Sequence, residues 1–318
     1  MALPKKVLIH ELGPREGMQI EKNPVSTEDK VRLVDLLSDC VFPEIEVTSF
    51  VSPKWVPQMA DAEQLIAGIT RRPGTRYTAI YLNAQGIERA LRTGKLDMEG
   101  VLSVTASETF SKKNTNRTID ETLAETEKRI GVLKEHRIVA DQVSVMAAFG
   151  CNYEGDVDPA RVVGLIGRLM AMADAHGLRI ELIQLADTMG WATPGSIRRL
   201  VGMVQDRWPD RRTNMHLHDT RGLGLANAYA ALEMGVDDFD SAVGGLGGCP
   251  YAGFKGAAGN VATEDLVHLC EEAGIETGVN LERLLEVARV AEEIVGHPLP
   301  GKVMRGGSLQ RHRAAHAA

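Results

Sequence analysis

Residues 179–218 read RIELIQLADTMGWATPGSIRRLVGMVQDRWPDRRTNMHLH. The stretch opens on an apolar, β-branched run, 179–185, and closes on another, 214–218. Between them Thr193-Pro194-Gly195 marks a helix start, because proline is favoured in the first turn. Residues 194–207 then carry the apolar spacing of an amphipathic helix. Strand, helix and strand in this order make a βαβ unit of roughly 30 residues.

The same rhythm continues outward in both directions. Further strands are expected at 7–12, 44–47, 77–82, 100–104, 141–147 and 238–243. Helical patterns lie between them, at 27–38, 61–68, 84–93, 119–135, 159–176 and 223–234, and another follows at 263–273. Ser26-Thr27-Glu28-Asp29 supplies a cap and acidic residues to a first turn. Eight βα units in about 270 residues fit one α/β domain, a (β/α)8 TIM barrel. A doubly wound open sheet is the main alternative, but no strand is followed by GxGxxG. Residues 280–295 read as an extra C-terminal helix, so 1–300 form the single catalytic domain. Residues 301–318, GKVMRGGSLQRHRAAHAA, lack periodicity and are expected to be a flexible tail.

Composition narrows the function. The chain has 318 residues and a formal charge of −7, which argues against a nucleic-acid or anionic-membrane surface. Aromatics at 4% disfavour a base-stacking platform. Glycines number 32, a sign of many tight turns. Cys40, Cys151, Cys249 and Cys270 form no CxxC pair and no disulfide scaffold. With no signal-peptide h-region and no apolar run near ~18 residues, a cytoplasmic protein is expected.

Chemistry in a barrel of this kind sits at the C-terminal ends of the strands. After strand 1, HELGPREGMQ places Arg15 and Glu16 in a turn set by Gly13, Pro14 and Gly17. In strand 7, the two-residue period puts His216 and His218 on one side, about 7 Å apart, with Met215 and Leu217 on the other. Two imidazoles with Glu16 at the same mouth can grip one metal ion and leave positions open for substrate. The donors suit Mg, Mn, Co, Fe or Zn; without thiolates, Mg or Mn is favoured. The loop from Gly244 to Asn260 holds seven glycines and Cys249, and reads as a mobile lid carrying an acid–base thiol. Glu46 lies within an apolar strand and needs a partner, for which Arg15 is placed. Asp187 ends strand 6 in the same way, and Asn83 follows strand 3 as a candidate substrate contact.

GPREGMQ, VTSFVSPKWVPQMAD, HLHDTRG, GLGGCPYA and GNVATED together resemble the 3-hydroxy-3-methylglutaryl-CoA lyases, a family of metal-dependent TIM-barrel lyases. The resemblance runs from about residue 7 to 295. It implies a divalent metal held by Glu16, His216, His218 and Asn260. It makes Arg15 the contact for the thioester carbonyl, Cys249 the lid thiol, Glu46 a buried acid–base partner and Asp187 a substrate-side polar group. The implied reaction is retro-Claisen cleavage of 3-hydroxy-3-methylglutaryl-CoA to acetyl-CoA and acetoacetate, as in leucine degradation and ketone-body formation. The implied partner is an acyl-CoA substrate, and a homodimer would follow the family.

The chain departs from the family's pattern in four places. Glu16 stands where these lyases carry Asp. The lid gains Phe254 and Lys255, and Lys255 could meet a CoA phosphate or a second carboxylate. Ser144 stands where a tyrosine is usual, and Gln184 where a serine is usual. The last two suggest an altered acyl pocket. The alternatives are therefore a lyase for citramalyl-CoA or a longer 3-alkyl analogue, and then a Claisen-condensing synthase. Such synthases usually append a further domain.

Overall fold

A computed structural model describes residues 2–247 and 259–310, with 313 and 316. Eight parallel strands form one curled sheet: β1 (Leu8–Glu11), β2 (Glu44–Ser49), β3 (Arg76–Ile80), β4 (Gly100–Thr105), β5 (Ala140–Met146), β6 (Leu182–Asp187), β7 (Arg212–Leu217) and β8 (Asp238–Ser241). Their order around the sheet is β3-β2-β1-β8-β7-β6-β5-β4, so every pair of consecutive strands except β3 and β4 is joined by a ladder, and β1 pairs with β8. This is the expected (β/α)8 barrel.

β3 and β4 end the sheet with no ladder between them. Tyr77 of β3 bridges the seam by exchanging hydrogen bonds with Asp97: its carbonyl accepts from the Asp97 amide at 2.8 Å and its amide donates to the Asp97 carboxylate at 2.8 Å. The Tyr81 hydroxyl accepts from the Glu99 amide at 2.7 Å and donates to the Glu99 carbonyl.

The helices α1 (Thr27–Ser38), α2 (Ala62–Gly68), α3 (Ala84–Thr93), α4 (Glu108–Thr115), α5 (Ile119–Glu135), α6 (Pro159–Ala175), α7 (Pro194–Arg207), α8 (Gly224–Glu233), α9 (Thr263–Glu272), α10 (Leu281–Val295) and α11 (Val303–Gly306) surround the sheet. Caps set their starts. Ser26 accepts from the Asp29 amide, Asp158 from the Ala160 amide just ahead of Pro159, and Thr118 and Glu121 form a reciprocal capping box. Outward-facing Ile45, Val47, Met215, Leu217 and Phe239 are buried among the helices. Each contributes about 1.5–3 kcal/mol by leaving water. The alternate positions Glu46, Asn214, His216 and Asp240 turn inward and make the barrel interior polar.

The flexible tail expected from residue 301 does not begin there. The amides of Lys302 and Val303 donate to the Asp265 carboxylate at 2.9 and 2.7 Å, starting α11, and Met304 is buried. The Gly301 amide donates to the Gly244 carbonyl at 3.1 Å, and Ser308 hydrogen bonds to Glu282. Periodicity misses such a segment because its order comes from side-chain acceptors on α9 and α10, not from its own pattern.

Beneath Gly244 lies Glu264, fully buried. Its Oε2 accepts from the Gly244 amide at 2.9 Å, while Oε1 has no partner among the described residues. Burial pushes its pKa up from 4.5 to about 8, against the pull of the Gly244 amide. The unfolded chain loses this proton near 4.5 and the folded chain keeps it to about 8, so stability falls as pH rises between those values. Glu264→Gln should flatten that fall by about 1 kcal/mol per pH unit between roughly pH 6 and 8. Thermal unfolding midpoints at the two pH values check it; parallel slopes in both proteins would reject the assignment.

Candidate active site

The site is built at the C-terminal mouth of the barrel. β1 runs into a single π turn, Gly13–Gly17, whose start is fixed when the Leu12 carbonyl accepts from the amides of Arg15 and Glu16 at 3.1 and 2.8 Å. Buried Glu11 anchors the turn. Its Oε1 accepts from the amides of Gly13 (2.7 Å) and Val243 (2.9 Å), and its Oε2 from the Thr263 hydroxyl (2.7 Å). A Cβ at Gly13 would lie 2.6 Å from Glu11 Oε1, so only glycine fits there. The turn aims Arg15 and Glu16 over the mouth.

Arg15 is held between two carboxylates. Its Nε donates to Glu46 Oε1, and its Nη2 lies 3.1 Å from Glu16 Oε2. Burial alone would lower the Arg15 pKa, but the Glu46 and Glu16 charges outweigh it and keep the guanidinium charged. Burial raises Glu46 to about 7, with Arg15 pulling the other way. A carboxyl that changes protonation near neutrality sits directly against a fixed cation.

His216, His218 and Glu16 converge, with one ligand atom of each inside a span of 4.8 Å. The two Nε2 atoms are 3.1 Å apart, and Glu16 Oε1 lies 3.3 Å from His218 Nε2 and 3.6 Å from His216 Nε2. Asn260 joins them, its Nδ2 at 3.2 Å from Glu16 Oε1 and at 3.2 Å from the Leu246 carbonyl. Its Oδ1 is buried without a partner among the described residues. Two facing imidazole nitrogens, a carboxylate oxygen and an orphaned amide oxygen are a donor set that fits a divalent metal ion. Gly247, with φ of +93°, passes so close that a Cβ there would lie 2.7 Å from Asn260 Nδ2. Burial would raise Glu16, but the charges of His216 and Arg15 hold it well below the usual carboxylate range. Burial would lower His216, but Glu16 and the hydrogen bond to Asp240 raise it to about 10.

The structure thus brings together Arg15, Glu16, Glu46, His216, His218 and Asn260. Asp187 also ends its strand at the mouth, but its oxygens accept from the amides of Trp191 (2.7 Å) and Ala192 (3.1 Å), so it shapes the loop after β6. Burial raises its pKa against those two bonds. Asn83 is exposed and caps α3 by accepting from the Gly86 amide at 2.9 Å. Ser144 and Gln184 bond to each other at 2.6 Å. Cys249, Phe254 and Lys255 lie outside the described residues. Cys40, Cys151 and Cys270 are buried free thiols.

Sequence reasoning misses Asp240. Its carboxylate accepts from Gln184 Nε2 (2.8 Å) and Asn214 Nδ2 (3.0 Å) and lies 3.1 Å from His216 Nδ1. The signal was present in Asp238-Phe239-Asp240, two acids on the inward side of an apolar strand, the same signal that picks out Glu46.

Comparison with known proteins agrees with this geometry. The sequence matches the HMGL-like family over residues 6–291. It is 44% identical over 285 residues to the mitochondrial hydroxymethylglutaryl-CoA lyase of Bos taurus, covering 89% of this chain and 84% of that one. It is 43% identical over 297 residues to the 3-hydroxy-3-isohexenylglutaryl-CoA/hydroxy-methylglutaryl-CoA lyase of Pseudomonas aeruginosa, covering 93% of this chain and 95% of that one. Among solved structures, the HMG-CoA lyase of Acinetobacter baumannii in complex with coenzyme A and 3-methylmalate superposes with a TM-score of 0.86 at 36% identity, covering 97% of each chain. By its barrel, its mouth residues and these matches across nearly its whole length, the chain belongs to the HMGL-like family.

Proposed function

We propose that the protein is a divalent-metal-dependent carbon–carbon lyase that cleaves 3-hydroxy-3-methylglutaryl-CoA to acetyl-CoA and acetoacetate. The observation that carries this reading is the convergence of Glu16, His216 and His218 beside the buried Arg15 guanidinium. Mg or Mn is the proposed ion, held by those three residues with Asn260. When bound, it supplies Lewis acidity toward the substrate's tertiary hydroxyl and a carboxylate oxygen.

The residues supply the rest. In the reaction a base takes the hydroxyl proton, the C3–O bond becomes a carbonyl as the C2–C3 bond breaks, and the electron pair of that bond passes to the thioester as an enolate. Arg15 meets that negative charge with a cation already fixed by Glu46 and Glu16, so little reorganisation is needed. Glu46, poised near neutrality, holds or releases a proton beside it. Cys249 is proposed as the acid that protonates the enolate carbon, and Lys255 as a contact for a phosphate or carboxylate of the substrate. Asp187 shapes the loop beside the reacting atoms. The protein is proposed to work in the cytoplasm; among the described residues no helix is long and apolar enough to cross a membrane. A homodimer remains part of the proposal.

The second reading is cleavage of a related 3-hydroxyacyl-CoA. It is favoured by the Pseudomonas aeruginosa relative, whose name includes a longer 3-alkyl substrate. Purified protein with Mg or Mn should release acetyl-CoA from 3-hydroxy-3-methylglutaryl-CoA faster than from citramalyl-CoA or a 3-isohexenyl analogue. The reverse order would move the assignment to the second reading, and no cleavage of any would remove both. Cys249→Ser should lower kcat by about 100-fold or more with metal retained; unchanged turnover would remove the thiol from the mechanism.

A further inference from the structure

A line of hydrogen bonds crosses the barrel interior from β5 to β7. The Ser144 hydroxyl donates to Gln184 Oε1 at 2.6 Å, and Gln184 Nε2 donates to Asp240 Oδ2 at 2.8 Å. The same Oδ2 is 3.1 Å from His216 Nδ1. Asp240 Oδ1 accepts from Asn214 Nδ2 at 3.0 Å. Ser144 and Asp240 are buried at 5% and 7% exposure, where an unpaired polar group is costly.

The directions of these bonds are determined by chemistry. Asp240 is an acceptor, so His216 donates from Nδ1 and keeps Nε2 as the nitrogen that faces Glu16 and His218, the one an ion would take. A carboxylate can rotate about its own axis. Two donors arriving from different strands, Gln184 from β6 and Asn214 from β7, prevent that rotation. Gln184 is itself an amide with two orientations. Asp240, which only accepts, selects the one that aims Nε2 at it, and the Ser144 hydroxyl, by donating to Oε1, holds the other end of the amide in place.

We infer that Gln184 and Ser144 are positioning residues for the metal site, acting in series through Asp240 on His216, and not contacts for the acyl chain. This rests on the proposed metal-dependent function. It differs from the sequence expectation for both residues. Both ends of the Gln184 amide are bonded within the protein.

The test reads metal affinity directly, with Mn2+ as the probe titrated into the purified full chain freed of metal, and without substrate. Replacing a group behind a metal ligand typically costs 10–100-fold in affinity, and Gln184 stands one bond further back. Gln184→Leu should therefore weaken Mn2+ binding by about three- to tenfold, with far-ultraviolet circular dichroism unchanged. Ser144→Ala should weaken it less. Added to Gln184→Leu, it should have no further effect, because residues in series are not additive. KM for the acyl-CoA should change less than the Mn2+ affinity in both variants. A loss under threefold in a folded Gln184→Leu, or additive losses in the double variant, would overturn the inference while leaving the function intact. If Gln184→Leu does not fold, Gln184→Asn, which keeps the amide but shortens its reach, takes its place under the same threshold. If the unmodified protein binds no Mn2+, the proposed function and this inference both fall.

Discussion

Arg15→Met should lower kcat by about 1,000-fold or more while the protein remains folded. One preorganised donor at a developing oxyanion is worth about 100- to 1,000-fold. Arg15 brings a full charge, buried and already bonded on two sides. Its Nε is committed to Glu46 and its Nη2 to Glu16, so the geometry is that of a planar fork. Lysine has one point charge and cannot serve both carboxylates, so Arg15→Lys should still lose about 100-fold. A secondary effect has a defined sign. Arg15 holds Glu46 down against burial, so its removal should raise the Glu46 pKa above about 7. Steady-state release of acetyl-CoA across pH 6–9 measures both. A loss under tenfold would remove Arg15 from the chemical step.

His216→Ala should weaken divalent-metal binding by about 100-fold or more and abolish measurable turnover. The ligand atoms of Glu16, His216 and His218 span only 4.8 Å, so losing one imidazole leaves a gap that Glu16, His218 and Asn260 cannot close without moving strands. The pH dependence is equally specific. Free of metal, His216 is held protonated to about 10 by Glu16 and Asp240, and an ion must displace that proton. Affinity should rise with pH between about 6 and 9, with close to one proton released per ion bound. Calorimetry in two buffers of different ionisation enthalpy counts that proton. In His216→Ala the release should disappear along with the affinity. Full metal binding in this variant would place the ion elsewhere.

The barrel was legible because each of its eight units repeats one signal, and several helices start on a cap visible in the sequence. α1, α3, α5 and α7 begin and end where the pattern places them. β6 begins three residues later than the apolar run, at Leu182, because register with its neighbours decides where pairing starts. α4 was missed because Glu108–Thr115 is short and polar, and is held by the Ser107 cap instead of an apolar face. At the site, His216 and His218 were legible from strand alternation alone. Arg15 and Glu16 needed the barrel to bring them there. Asp240 and the Ser144–Gln184 pair were not legible as a network, because each link joins different strands and register decides which polar residues meet.

The seam between β3 and β4 has a consequence for how the chain can be rearranged. Elsewhere around the ring, separating two strands breaks a ladder, but here the closure is a clasp made by Tyr77, Tyr81 and the Asp97–Glu99 segment. Topologically the protein is an arc whose two ends are buttoned together. New termini placed in residues 94–96, with the old ones joined by a linker, would leave every ladder whole and put the new ends at the clasp. The barrel has a natural point for circular permutation, far in sequence from His216 and His218.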